Sequence, residues 1–530
     1  MNNMRILDCT LRDGGYVNDF AFGRENIRKI ILQLQNAGID IIECGFLEDG
    51  TYDSDTSVFT TTQQIAELLP KVRSGRSMFV AMACYGEYSL ENLTPCDGTS
   101  IEGIRVTFHY NEVDEALEYC ERIQNLGYKV FVQPVGTSSY TDEKLLSLIK
   151  KVNALSPYAF YLVDTLGLMQ QTDVMRFFHL IDHNLAEGIR MGFHSHNNLQ
   201  LSYSNCQLLS SVETDRIISL DSSVYGMGRG AGNLNTELIA SYLNEHKKSG
   251  YDIVPLLEIV DEIIAPIKKK FEWGYSVPYY LAAINGCHPN YASYLSGKQT
   301  LTVKHIGAIL RSIEPECRSL FDKSLAERKY REFQNNAVDD THALEELRKR
   351  IEGRNVLLIA PGPSLNDHTA EIEATASREN CVTISVGFVP QFMDTDFVFL
   401  SNLKRYNTTF NPQKRPVNLI HTSNIRVEES PKYIVDYTSL RCGEADAIAD
   451  NASLMLLNLL LRLNPARIYL AGMDGYSPGE SNYFQERLDI EQDSERLALL
   501  NAGISKKLVE LGRSLLLTFI TPTHYVTERQ

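Results

Sequence analysis

At 530 residues the chain is longer than one hydrophobic core organises, so two or three units are expected. Hydrophobic residues at 43% and charged residues at 22% describe an ordinary globular protein and exclude a disordered or fibrous one. With 51 Lys and Arg against 67 Asp and Glu the net charge is −16, and in the absence of a long basic run this excludes duplex nucleic acid as a partner.

In chain order, the opening MNNMRILDCT has no apolar run or small-residue cleavage site and leads straight into a strand, so a cytoplasmic location is expected. Short β-branched runs then alternate with amphipathic stretches. Eight strands are predicted at Met4–Thr10, Asp40–Phe46, Ser77–Tyr85, Ile101–His109, Lys129–Val135, Ala159–Thr165, Met191–His196 and Ile217–Val224. Between them Glu25–Ala37, Glu112–Leu126, Asp142–Ala154 and Thr172–Leu185 carry hydrophobics three and four apart and read as helices. Eight such repeats within residues 1–250 predict a closed TIM (β/α)8 barrel. Residues 251–340 read as a helical extension and linker, with helices over Val254–Phe271, Val277–Ile284 and Val303–Ile313. Residues 341–530 read as a second, Rossmann-like α/β domain, with strands beginning at NVLLIAPGPSL and continuing at Cys381–Val386, Phe397–Ser401, Arg467–Ala471 and Ser514–Ile520. The apolar stretch Ala452–Leu463 is too short for a membrane span and reads as a buried helix. Ten cysteines without a CxxC suggest neither disulfides nor a zinc knuckle.

Working residues of such a barrel lie at the C-terminal ends of its strands. There the first strand supplies Asp8, Thr10, Arg12 and Asp13, the second Glu43, the sixth Asp164 and Thr165, the seventh His194 and His196, and the loop after the eighth ends at Asn233. His194 and His196 stand two apart on a strand and so face one way. An Asp from the adjacent first strand, for which Asp13 is the candidate, would complete a mixed nitrogen and oxygen set for Mn²⁺ or Mg²⁺, or for Co²⁺ or Zn²⁺. Such an ion would polarise a 2-oxo acid, and the fork of Arg12 would hold a carboxylate or an enolate oxygen. Thr165 is placed to bind substrate. Glycines 226, 228, 230 and 232 either form an anion nest or simply close the barrel tightly, and Arg229 among them favours a carboxylate or phosphate contact. Cys9 and Cys44 read as buried packing residues, and His109 either faces the site or is a structural histidine.

LDCTLRDGG, IIECGF, FHSHNN and GMGRGAGN, in that order, resemble the HMG-CoA lyase-like, or DRE-TIM, metallolyases, and within them most closely the 4-hydroxy-2-oxovalerate aldolase branch, over about residues 4 to 310. The resemblance implies metal ligation by Asp13, His194 and His196, with Asn233 approaching the metal, an enolate-stabilising Arg12, and an acidic supporting residue at Glu43. The implied substrates are a 2-oxo acid with an aldehyde or acyl donor. HPNYASYLSG resembles the helical region that docks a dehydrogenase in that branch. The pathway aldolases carry a histidine, thought to be the base, where this chain has Tyr16; Tyr16 is either a proton carrier or a substrate-positioning hydroxyl.

In the second unit APGPSL, FVFLSNLKR, DNASLMLLNLL and RIYLAGMDGYS resemble the nucleotide-sugar-binding fold of bacterial sialyltransferases and motility-associated glycosyltransferase domains, over about residues 354 to 526. The resemblance implies nucleotide contacts at Gly362, Pro363, Ser364 and Asn402, and at Ser453 and Asp474. Pro361 replaces their Asn, and only His524 stands near where a catalytic histidine would be sought. The leading expectation is a metal-dependent aldolase or Claisen-type lyase, active as a homo-oligomer and serving surface-polysaccharide precursors. The alternatives are a bifunctional synthase and glycosyltransferase using a nucleotide-linked donor, and a non-catalytic assembly protein.

Overall fold

The computed structural model describes residues 3–73, 75–409, 418–427, 432–443, 448–485 and 494–525. The chain divides into two compact units, Met1–Ser293 with Ile313–Phe321, and Tyr294–Ser312 with Asp322–Gln530.

The first unit is built on strands β1 Met4–Asp8, β2 Ile41–Leu47, β3 Val58–Phe59, β4 Met78–Cys84, β5 Gly103–Phe108, β6 Lys129–Pro134, β7 Ala159–Asp164, β8 Arg190–Ser195 and β9 Ile218–Ser222. All pairings are parallel, and β1 pairs with both β9 and β2, closing an eight-stranded barrel to which the short β3 is appended beside β2. This is the expected TIM-type barrel. Period two divides each strand's residues between two cores. Leu7, Cys9, Ile41, Val80, Phe131, Ala159, Tyr161 and Val163 fill the interior. Ile6, Ile42, Phe79, Ile104, Val130, Phe160, Met191 and Leu220 point outward against the helices.

Local sequence explains the helices. In Arg24–Asn36 the buried Ile27, Ile30, Ile31 and Leu34 form one stripe. Helix Asp142–Leu155 starts where Thr141 Oγ1 accepts from Lys144 N at 3.3 Å and stops where Ser156 turns left-handed at φ 51°. The expected helix over Val254–Phe271 is not continuous. It runs as Val254–Ile259, widens into a π-type turn at Val260–Ile264 and ends at Lys268. Pro266 lacks the amide that would bond four residues back, so the regular ladder cannot pass it.

The second unit has strands β10 Asn355–Ile359, β11 Val382–Val386, β12 Phe397–Leu400, β13 Leu419–Thr422, β14 Tyr433–Val435, β15 Arg467–Ala471 and β16 Leu517–Phe519. They form an open parallel sheet in the order β14-β13-β12-β11-β10-β15-β16. Strand order therefore reverses between β10 and β15. Strands β13 and β14 were not among the expected ones; each is short and flanked by polar residues, whereas the equally short β12 and β16 sit in the apolar runs FVFL and LLLTFI. Helix Ala452–Leu463 is buried nearly all round, through Leu454, Met455, Leu456, Leu457, Leu459, Leu460 and Leu463. Among the described residues no helix is long and apolar enough to cross a membrane.

Candidate metal centre and active site

The turn after β1 is drawn tight by Cys9, whose carbonyl accepts from Arg12 N at 3.1 Å and Asp13 N at 2.8 Å. This brings Asp13 over the barrel mouth, where its carboxylate and the imidazoles of His194 and His196 offer ligand atoms within 4.8 Å of one another. Asn233 joins them. The backbones of His196 and Asn233 are bridged, and Asn233 Nδ2 donates to Asp13 Oδ2 at 2.7 Å and to the Met227 carbonyl at 3.1 Å. Its buried Oδ1 has no hydrogen-bond partner. An acceptor left without a donor beside two imidazoles and a carboxylate fits a divalent cation, which would satisfy it. Burial alone would raise the Asp13 pKa, yet the charge of Arg12, with the two imidazoles beside it, holds it well below the usual carboxylate range. Burial pulls His196 down to about 4, so its ring is neutral and free to ligate.

Arg12 lies beside this cluster. It donates from Nη1 to Asp13 Oδ1 at 2.7 Å and from Nε to Glu43 Oε2 at 2.8 Å, while Nη2 is buried without a partner. Glu43 also pairs with Arg105 Nη1 at 2.9 Å, and Arg105 Nη2 donates to Asp221 Oδ2. Asp221 Oδ2 in turn lies 3.0 Å from His194 Nδ1. An Nδ1–H donated there fixes the tautomer that leaves His194 Nε2 as the lone-pair nitrogen. Arg105 and Asp221 were missed by the sequence reading. Their signal was a charge inside an otherwise apolar strand, in GIRVTF and ISLDS.

Tyr16 stands in the short turn after Asp13, edge-on to Phe20 and Phe46 with ring centroids 5.0 and 5.8 Å away. Burial raises its pKa, against the opposing charges of Arg229 and Arg12, so the hydroxyl keeps its proton at neutral pH. The GMGRGAGN loop curls back on itself. Gly232 has φ 78°, and a Cβ there would lie 2.0 Å from the Gly226 carbonyl oxygen. Gly228 presses on the ligand cluster, since a Cβ there would come within 3.3 Å of Asp13 Oδ2.

Other expected residues are occupied differently. Thr165 Oγ1 accepts from Gly136 N at 2.9 Å, so its oxygen holds a neighbouring loop. Asp164 accepts from Leu168 N and Met169 N, both at 3.0 Å, and burial pushes it up to about 6. Exposed His109 initiates a turn, its backbone amide donating to Glu112 at 2.9 Å. Cys9 and Cys44 are buried, as read, and burial pushes both thiols up.

In the second unit the loop after β10 does meet the loop after β15, but a carboxylate fills the turn. Asp474 accepts from Ser364 N and from Ser364 Oγ, both at 2.6 Å, and Gly362 N donates to the Gly472 carbonyl at 2.9 Å. Pro363 sits between them and accepts from Asn366 N at 3.1 Å. Asn402 is spent capping the following helix, accepting from Arg405 N at 2.9 Å. His524 N donates to the Asp474 carbonyl, which brings His524 to the same loops. A small crevice of about 40 Å³ opens here, lined by Pro361, Gly362, Asn451, Ser453, Asp474 and Tyr525 among others.

Residues 3–263 match the family model described as HMGL-like. Over 267 residues the chain is 26% identical to a 4-hydroxy-2-oxovalerate aldolase of Geobacillus genomosp. 3, covering 50% of this chain and 77% of that protein. Over 271 residues it is 28% identical to one of Chloroflexus aggregans, again covering 50% of this chain and 77% of the other. Among solved structures, the N-terminal domain of a candidate aldolase from Bacteroides vulgatus is 24% identical and aligns with a TM-score of 0.49 over 58% of this chain and 100% of that one. Residues 3–263 thus belong to the HMGL-like superfamily of metal-dependent aldolases and lyases, related at low identity to 4-hydroxy-2-oxovalerate aldolase.

Proposed function

We propose that the barrel makes or breaks a carbon–carbon bond adjacent to a 2-oxo acid, as a metal-dependent aldolase or Claisen-type lyase. The observation that carries this is the convergence of Asp13, His194 and His196 beside a guanidinium that still has a buried, unused donor. A divalent ion, Mn²⁺ or Mg²⁺ before Co²⁺ or Zn²⁺, would supply Lewis-acid polarisation of the substrate carbonyl when bound by Asp13, His194, His196 and Asn233. Arg12 Nη2 is the donor for the oxygen that gains negative charge, and Glu43 keeps the guanidinium aimed by its bond to Nε. Tyr16, protonated at neutral pH, serves as a hydrogen-bond donor or acid rather than as the base. Asp221 holds His194 in the ligating tautomer. The test is exchange of pyruvate methyl hydrogens in D₂O, followed by proton NMR. Mn²⁺-loaded protein should exchange them and chelator-treated protein should not; no exchange with any of the four ions would sink this reading.

For the second unit we propose a nucleotide site, as such sheets bind ligands where strand order reverses, which here is between β10 and β15. The polar groups that line the small crevice there, Asn451, Ser453 and Asp474, support it. Because Asp474 already occupies the Ser364 amide, the sugar hydroxyls rather than a phosphate would face Ser364 and Asp474. Calorimetry with cytidine and uridine nucleotides on the full chain tests this, and absence of heat with the whole panel would remove it. A role in surface-polysaccharide precursor metabolism depends on both sites working.

A further inference from the structure

Arg229 is a half-buried cation for which the described residues provide no ion pair within 4.0 Å. The contrast with the neighbouring arginines is sharp: Arg12 is shared by Asp13 and Glu43, and Arg105 by Glu43 and Asp221. What Arg229 has instead is neutral. Its guanidinium carbon lies 3.5 Å from the centroid of the Tyr16 ring, and Nη1 is 3.4 Å from His288 Nε2. A ring face returns far less to a cation than full neutralisation by an anion does. Stacking by its face leaves the edge of the guanidinium, with its forked donors, available to a planar anion.

The surroundings hold Arg229 in place. Gly274 N donates to the Gly230 carbonyl at 3.0 Å and Trp273 Nε1 to the Tyr225 carbonyl at 3.2 Å, which fixes the loop on both sides of Arg229. His288 is fixed by the segment Ile313–Phe321: its amide donates to the Arg318 carbonyl at 2.8 Å, and the Cys317 and Leu320 carbonyls, each 3.0 Å from Tyr291 Oη, share its one proton. Asn290 N lies 3.2 Å from His288 Nδ1 and the guanidinium 3.4 Å from Nε2; the neutral ring accepts at only one of them, and donors on both sides disfavour a second ring proton. Burial and Arg229 accordingly lower His288 to about 4. Through Gly228 the same loop abuts Asp13, so Arg229 lies one residue from the ligand cluster.

We propose that Arg229, stacked on Tyr16 and braced by His288, binds a second anionic group of the substrate, a carboxylate or phosphate remote from the carbonyl that Arg12 faces. The inference rests on the 2-oxo acid reading and narrows its substrate class to one in which the fragment beyond the scissile bond is itself anionic. His288 acts through Arg229 and is a positioning residue.

The test is calorimetry on the full chain loaded with Mn²⁺, using two matched pairs: 2-oxohexanoate against 2-oxoadipate, and glycolaldehyde against glycolaldehyde phosphate. In at least one pair the terminally charged member should bind about tenfold tighter or more, and which pair does so separates carboxylate from phosphate. Arg229→Gln should erase the preference; His288→Ala should weaken it, and His288→Gln, which keeps an acceptor, should restore part of it. Equal affinities within both pairs, or a preference that survives Arg229→Gln in protein with unchanged circular dichroism, would overturn the proposal. The pyruvate exchange experiment separates the two readings. Exchange without a charge preference removes the anion subsite alone, whereas a preference without exchange keeps the subsite and removes the 2-oxo acid chemistry.

Discussion

Arg12 has committed Nε to Glu43 and Nη1 to Asp13, and the two bonds hold the plane of its guanidinium so that Nη2 is the free edge. A lysine could place one charge there but could not keep both carboxylates and a third direction together. Arg12→Lys is therefore expected to lower the pyruvate exchange rate by about 10²- to 10³-fold, the scale set by removing one aimed donor. A rate within threefold of the parent, measured by the same NMR assay, would take Arg12 out of the chemistry. Asp8, at the end of the strand that precedes the loop of Arg12, gives a prediction about stability. It accepts from Thr10 N at 2.9 Å and Thr236 Oγ1 at 2.6 Å, but burial outweighs both bonds and pushes its pKa to about 6, above the usual value of about 3.9. A folded-state pKa that is raised favours the protonated fold, so its stabilisation is complete below pH 4 and is lost as pH rises through 6. Asp8→Asn removes that loss. Chemical denaturation should find the variant gaining on the parent between pH 4 and 7.5, by up to about 3 kcal/mol; a constant difference across that range would contradict it.

At this scale the sequence disclosed what lies at strand ends and hid what lies within strands. Asp13, His194 and His196 were legible because the pattern placed each at the exit of a strand. Arg105 and Asp221 were not, because which face of a strand looks into the barrel follows from closure and register, and neither is written in one strand alone. His288 was beyond reach for another reason: it arrives from the helical extension, and nothing local to HPNYASYLSG says that its histidine meets a loop near residue 229.

Among the elements, the barrel strands carry a run of alternating charge through their interior: Asp13, Arg12, Glu43, Arg105, Asp221 and His194 in contact order. Such a run costs desolvation at every member, and its stability depends on no member being missing. Arg105→Leu would leave Glu43 without its second partner and Asp221 with the His194 ring alone. It is expected to destabilise the protein by about 3–5 kcal/mol in urea denaturation. A loss under 1 kcal/mol would mean that water enters and replaces the guanidinium. The second sheet shows the limit of reading elements from pattern. Its five strands set in apolar or β-branched runs were visible, whereas Leu419–Thr422 and Tyr433–Val435, flanked by polar residues, owe their pairing to neighbours already in the sheet.

For the whole molecule, the second unit depends on chain that precedes its first strand. Leu344, Leu347 and Ile351 of helix Thr341–Ile351 are part of its main core, and Tyr330 Oη donates to Asp450 Oδ2 at 2.8 Å. A fragment starting at Arg354 would expose the surface those three aliphatic side chains cover, each contributing about 1.5–3 kcal/mol. The fragment 294–530 should unfold cooperatively in urea, and 354–530 should have lost most of its stability or fail to fold. Equal midpoints for the two fragments would show the preceding helices to be dispensable.

The chain passes between its units at Ser293, again at Ser312 and again at Phe321. In terms of descent, no single crossover can lift out either unit whole. A relative's barrel spliced in at residue 293 would arrive without the Ile313–Phe321 segment on which His288 and Tyr291 depend, and the chain beyond the junction would carry a segment belonging to a barrel that had been removed. Recombinants joined at one point therefore lose the bracing of His288 beside Arg229, so the two halves of this protein are expected to be inherited as a pair, and changes in one to persist only on the background of the other.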